Sequence, residues 1–185
     1  MNKRRPKEPN QNLLVEVSAE RIVLTGLIHF GEDLYYDINT FLQTPDFSAI
    51  ENQLIFDAIS DLVVKEKNPK PSIPAILSVI SARNPGVSTE YDIPAYLSTL
   101  QNISVNMEEA VSFAKKVGRL SWARKSIDAL KQGINSVQSI TGDESLATIL
   151  AHAETPLLDL ANSSLQAGDI VDMRLEAAKF ARSEE

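Results

Sequence analysis

At 185 residues, 43% apolar and 23% charged, the chain is too apolar for wholesale disorder and long enough to bury roughly 70% of its extended surface. No apolar run reaches the roughly 20 residues of a membrane span, and the basic opening MNKRRPKEPN leads into no signal-peptide core. Lacking cysteine, the protein can form no disulfide framework or thiolate metal site, and a reducing cytoplasm is its expected compartment. The net charge of −7 hides an asymmetry: Lys3, Arg4, Arg5 and Lys7 against Glu8 make the first ten residues +3, leaving −10 for the rest. An acidic body argues against a general DNA-coating role, which needs a cationic footprint.

Residues 1–12 read as a disordered basic arm. Beyond it, only seven glycines, long helical periodicities and little strict alternation predict an all-α protein. Ser18 is placed to cap a first helix, with Glu20 in its first turn and Val23, Leu24, Leu27 and Ile28 as its apolar stripe, ending near Phe30–Gly31. A short second helix is expected through Tyr35, Ile38, Phe41 and Leu42, broken by Thr44-Pro45-Asp46. The third carries Ile50, Leu54, Ala58 and Leu62, widened by Ile55, Ile59 and Val63. After the stiff connector Asn68-Pro69-Lys70-Pro71, Ser72 caps a fourth helix with Pro74 in its first turn and Ile76, Leu77, Val79 and Ile80 inward. Asn84-Pro85-Gly86 is a turn, and a fifth helix around Ile93, Tyr96, Leu97 and Leu100 completes a helical head over residues 13–103.

From Asn106 to Pro156 there is no proline. Leu120, Ala123, Ile127, Leu130, Ile134 and Val137 step by the 3.5-residue period of a coiled-coil seam. After Thr141-Gly142-Asp143, the stripe Leu146, Leu150, Ala153, Leu157 and Leu160 repeats it. The two seams are expected to face each other in an antiparallel hairpin over residues 104–163, kinked at Pro156. Residues 107–140 hold six Lys and Arg against three acids, whereas 143–163 hold four acids and no base, so a cationic helix meets an anionic one. A two-helix hairpin has too little interior to hide both seams and the flanking Val117, Trp122, Ile149 and Leu158. Either the head or another chain must cover them; because a helix of about 30 residues, roughly 45 Å long, outreaches a small head, a second chain is expected over Leu120, Trp122, Ala123, Ile127, Leu130, Ile134, Leu146, Ile149, Leu150 and Leu157. Residues 164–185 read as a linker and short linker helix, with Met173, Ala177 and Phe180 as a docking stripe.

No phosphate-binding glycine loop and no nucleophile elbow is present. His29 and His152 are isolated, and Asp57/Asp61 and Glu108/Glu109 read as solvated helix faces, so no catalytic, cofactor-binding or metal residue is assigned. Trp122 with Lys115, Lys116, Arg119, Arg124 and Lys125 admits a DNA or partner patch; the acidic body favours a solvated face with one interface anchor. Tyr35-Tyr36 reads as head packing rather than a base-stacking platform.

The segment Ser18 to Ile28 resembles the opening of the N-terminal domain of DnaB-type replicative helicases, with its Ala-Glu pair and apolar helix. Asp46-Phe47, then Asn52-Gln53-Leu54-Ile55-Phe56-Asp57-Ala58-Ile59 and Leu62, is similar to that family's Phe…His-Arg-x-Ile-Phe-x-Ala-Ile…Leu segment. Tyr96-Leu97-x-x-Leu100 resembles a further element, and Phe113-Ala114-x-x-Val117 with Arg124 the start of its long hairpin helix. Thr25, Asn52-Gln53 and Pro71-Ser72-Ile73-Pro74 depart from the pattern, marking a divergent, phage-encoded member as the expectation. The resemblance implies a collar domain that assembles subunits into a dimer or hexameric ring, docks primase or a helicase loader, and precedes a RecA-like motor using ATP and Mg²⁺. A stand-alone adaptor that copies the collar fold and binds a host helicase is the rival reading. A small nucleic-acid-binding protein using the arm and the Lys115–Lys125 face is a third.

Overall fold

The computed structural model describes residues 14–86 and 91–166, so the basic arm and the stripe Met173, Ala177 and Phe180 lie outside the described residues. Among these residues there are seven α-helices and no strand: α1 (Val17–Phe30), α2 (Glu32–Ile38), α3 (Ile50–Val64), α4 (Ile73–Arg83), α5 (Ile93–Gln101), α6 (Met107–Gln138) and α7 (Leu146–Gln166), with a 3₁₀ turn at Thr44–Asp46. None of these helices is long and apolar enough to cross a membrane.

α1 is the centre of the head. Every residue from Val23 to Ile28 is buried, because α2, α3, α5 and α6 each pack on a different side of it. Where α1 crosses α6, Gly26 removes the side chain that would collide: a Cβ there would stand 2.6 Å from the Ala110 Cβ. At the end of α1 the chain reverses through Gly31 at φ +61°, where a Cβ would meet the Pro69 carbonyl oxygen. That carbonyl accepts the Glu32 N–H at 2.7 Å.

The sequence-derived elements recur with three differences. α1 begins at Val17 with Glu16 at the cap position and no side-chain cap, so Ser18 lies inside the helix. α2 stops at Ile38, before Phe41 and Leu42, and Leu42 reaches the core from the loop instead. Ile50, at the first turn of α3, is 51% exposed. Ser72 caps α4 through the Ala75 N–H, and Asn106 caps α6 in a reciprocal box with Glu109.

Glu20, in the first turn of α1, serves another helix. Its carboxylate is buried and turned away from its own helix. It accepts from the Ser48 N–H at 2.7 Å, the Ser48 hydroxyl at 2.5 Å, the Ala49 N–H at 3.4 Å and the Asn52 amide at 2.7 Å. It therefore caps α3 from a distance, a use of a carboxylate at a helix N-terminus that favours the negative charge. The Asn52 carbonyl oxygen in turn accepts from the Tyr96 hydroxyl at 2.7 Å, which burial pushes above its ordinary pKa against the opposing pull of Arg21 and Asn52. Arg21 lies over the Tyr96 ring, 5.5 Å from its centroid. Glu20→Ala leaves these donors without their acceptor and is expected to cost about 2–3 kcal/mol, read as a lower denaturation midpoint with unchanged helical content.

Candidate assembly interface on the hairpin

α6 serves three neighbours. Ala110, Ala114, Val117, Gly118 and Ser121 are buried against the head. Ala129 and Gly133 are buried on a second face, and a Cβ at Gly133 would stand 2.7 Å from the Ala153 carbonyl oxygen of α7. The internal seam of the hairpin thus runs along small residues, so the two backbones approach closely. At about 100° per residue, Leu120, Ala123, Ile127, Leu130 and Ile134 form a third face, about a third of a turn from the Ala129–Gly133 line and directed away from the head.

This corrects the expectation that the two heptad stripes face each other. Ile127, Leu130 and Ile134 are 38%, 50% and 57% exposed, and Leu146, Leu150 and Leu157 are 81%, 60% and 38% exposed. On α7 the half-buried positions are Ile149, Pro156 and Leu160, on the side whose Ala153 backbone meets Gly133; the three leucines lie about a quarter turn to one side. Because antiparallel helices wind in opposite senses when viewed from one end, the exposed stripes of α6 and α7 come out on the same side of the hairpin. The result is one continuous apolar face on the side away from the head. Pro156 lies inside α7, which continues through it to Gln166.

Of the residues expected at a subunit interface, Ile127, Leu130, Ile134, Leu146, Leu150 and Leu157 share this face, with the half-buried Leu120 and Ala123 at its border. Trp122 and Ile149 do not. Ile149 points into the hairpin. Trp122 lines a groove of about 320 Å³ on the opposite side, together with Phe41, Gly118 and Leu160.

Asp46, which sequence reasoning used only as a landmark, positions the hairpin. It is buried and accepts from the Gln43 N–H at 2.7 Å, the Ser121 hydroxyl at 2.6 Å and the Lys125 ammonium at 2.7 Å. Arg124 donates to the Asp46 carbonyl at 2.5 Å and to the Leu14 carbonyl at 2.7 Å, and Lys116 pairs with Glu16 at 2.6 Å. Three cations of the Lys115–Lys125 cluster are thus engaged in holding the head and the incoming chain on α6. The spacing Asp46…Arg124 was the available signal, but a contact across 78 residues carries no periodicity.

The remaining candidates fall to structural partners or to solvent. Arg83 pairs with Asp57 at 2.7 Å and also with Asp61, which holds Lys65 at 2.8 Å. His29 Nε2 lies 3.4 Å from the Gln101 carbonyl oxygen, and His152 is exposed. Tyr35 is buried with its hydroxyl 2.7 Å from that of Ser60, while Tyr36 is exposed. Among the described residues no three His, Asp or Glu converge as metal ligands.

At the hairpin tip, Glu144 accepts from the Thr141 N–H, the Thr141 hydroxyl and the Gly142 N–H. These bonds to the Thr141 and Gly142 backbone hold its pKa down at about 2. A carboxyl lowered in the folded state contributes stability above the ordinary carboxylate range that is lost as pH falls through the lowered value. The Gly142 amide is expected to stay protected from hydrogen exchange at pH 3.5, to lose protection near pH 2, and to be unprotected at both in Glu144→Gln.

The family model described as "DnaB-like helicase N terminal domain" matches residues 12–119. Among solved structures, the crystal structure of the N-terminal domain of DnaB helicase from Mycobacterium tuberculosis has the same fold, with a TM-score of 0.64 at 21% identity over 78% of this chain and 97% of that one. No protein with a curated description matches. The matched range contains both polar contacts described above, that of Glu20, Asn52 and Tyr96 and, but for Arg124 and the other donors beyond residue 119, that of Asp46. With more than half of its length matched, the chain belongs to the family of DnaB-like helicase N-terminal domains.

Proposed function

We propose that this chain is the collar of a replicative DNA helicase, a domain that joins subunits and recruits primase or a helicase loader, without chemistry of its own. The observation that carries this reading is the single apolar face of Ile127, Leu130, Ile134, Leu146, Leu150 and Leu157, because exposed apolar surface of this extent on a soluble domain marks an association site. On this reading residues 13–103 are the head that presents docking surface, 104–163 the hairpin that assembles, and 164–185 the linker. Met173, Ala177 and Phe180 dock toward a motor domain of a longer parent protein acting in the cytoplasm. ATP and Mg²⁺ belong to that motor. Sedimentation equilibrium on the chain is expected to give a dimer or a larger closed assembly; a monomer at about 100 μM overturns the reading. Retention of the cognate primase by the immobilised assembly tests the docking role, and its absence, together with that of a loader, removes that role.

A further inference from the structure

We infer that the groove beside Trp122 is the seat of this chain's own Ile170-Val171, which pins the linker to the junction of head and hairpin. Phe41, Trp122 and Leu160 line the groove together with Gly118, Asp46 and Lys125. Its three large apolar side chains are only half-buried. At about 320 Å³ it has room for about ten waters, far more than close-packed helices leave between them.

Gly118 shows that this space is not forced by the fold. Glycine inside a helix is destabilising relative to alanine, and at Gly26 and Gly133 a collision requires it, since a Cβ would stand 2.6 and 2.7 Å from a neighbour. At Gly118 a Cβ would meet the Phe41 carbonyl oxygen at 3.5 Å, an ordinary contact. The packing of α6 on the head therefore tolerates a side chain at residue 118. What its absence does is open the groove.

Connectivity and charge select the occupant. Leu160 and Ser163 line the groove from α7, which ends at Gln166, and the chain continues beside it as Ala167-Gly168-Asp169-Ile170-Val171-Asp172. Gly168 follows Gln166 by two residues, where a glycine most readily reverses the chain after a helix. Four extended residues reach up to about 13 Å, whereas Ser163 is about 4.5 Å back along the axis from Gln166. Ile170 can therefore return to the groove. Ile170 and Val171 are β-branched and lose little rotamer freedom on docking, and Asp169 and Asp172 flank them. Lys125 supplies the matching charge: its side chain is 45% exposed while it holds Asp46 at 2.7 Å, and an ammonium has further donors for a linker carboxylate. Met173, Ala177 and Phe180 then set out from a fixed point instead of from the end of a free tether. The inference goes beyond the assembly reading and does not depend on it.

Trp122 is the chain's one tryptophan, so its fluorescence reports on the groove alone. In the wild-type chain, nuclear Overhauser contacts are expected between the Trp122 indole and the methyl groups of Ile170 and Val171. In Ile170→Asp/Val171→Asp the emission is expected to move to the red and acrylamide quenching to rise about threefold, because an unpaired carboxylate is costly in an apolar seat, with the circular dichroism unchanged. Met173→Asp/Phe180→Asp is expected to leave both readings at wild-type values. A folded wild-type chain without those contacts overturns the proposal, as does wild-type quenching in the first double variant. Release of Trp122 by Met173→Asp/Phe180→Asp assigns the groove to the distal stripe and overturns it too. Shielding of Trp122 that is lost on dilution of the wild-type chain assigns the cover to a second copy, with the same consequence.

Discussion

Replacing Leu130 and Ile134 by Asp is expected to give a monomer whose head melts as in the wild-type chain. Both residues already face water in the single chain, at 50% and 57% exposure, so a carboxylate there costs the isolated fold little. In an assembly joined through this face each copy brings its own substitutions into the contact. An ionised side chain moved into an apolar contact without a partner carries a penalty of several kcal/mol. Taking only about 2 kcal/mol per copy, the dissociation constant rises about a thousandfold. Sedimentation equilibrium measures it, and circular dichroism with a thermal scan shows whether the head is intact. A double variant that associates as tightly as the wild-type chain removes the hairpin face from the assembly.

The second large effect concerns the junction between head and hairpin. In Asp46→Ala, the Ser121 hydroxyl, the Gln43 N–H and the Lys125 ammonium lose one shared acceptor, and two of these donors are in or near the interior. The expected loss is about 3 kcal/mol, which for a domain of this size lowers the melting temperature by about 6–12 °C. Lys125→Met, by contrast, removes a cation that is 45% exposed, and its expected cost is below about 1 kcal/mol. The contrast is diagnostic: equal losses for the two variants would mean that the ion pair, rather than the buried hydrogen bonds, ties α6 to the 3₁₀ turn. The same junction fixes the direction in which the apolar face points, because Ser121, Arg124 and Lys125 hold α6 with its opposite side to the head.

How far the sequence reaches can be judged from α6 itself. In the sequence its start showed only as the beginning of a proline-free stretch at Asn106; the reciprocal cap of Asn106 and Glu109 that fixes it, satisfying orphan backbone donors, is seen in the structure. The head helices were legible, since an apolar stripe recurring every three or four residues has to be buried somewhere. The reach of Glu20 to Ser48, Ala49 and Asn52 was not, since nothing local indicates whether a first-turn acid serves its own helix or another. Of the candidate interface, the stripe from Ile127 to Ile134 was found from its spacing. Trp122 and Ile149 were included on hydrophobicity alone, and they belong to other faces.

By itself the sequence determined that the chain is helical, where most helices begin and end, and that the hairpin carries more apolar surface than it can use. Which surface closes the hairpin and which remains open was decided only in the tertiary structure. The physical reason is that periodicity is weighted by large side chains, whereas the closest helix contact here is made where side chains are nearly absent, at Ala129 and Gly133 against the Ala153 backbone. Close packing of two backbones selects small residues, and that choice rotates the large ones, Ile127, Leu130 and Ile134, out toward a neighbour.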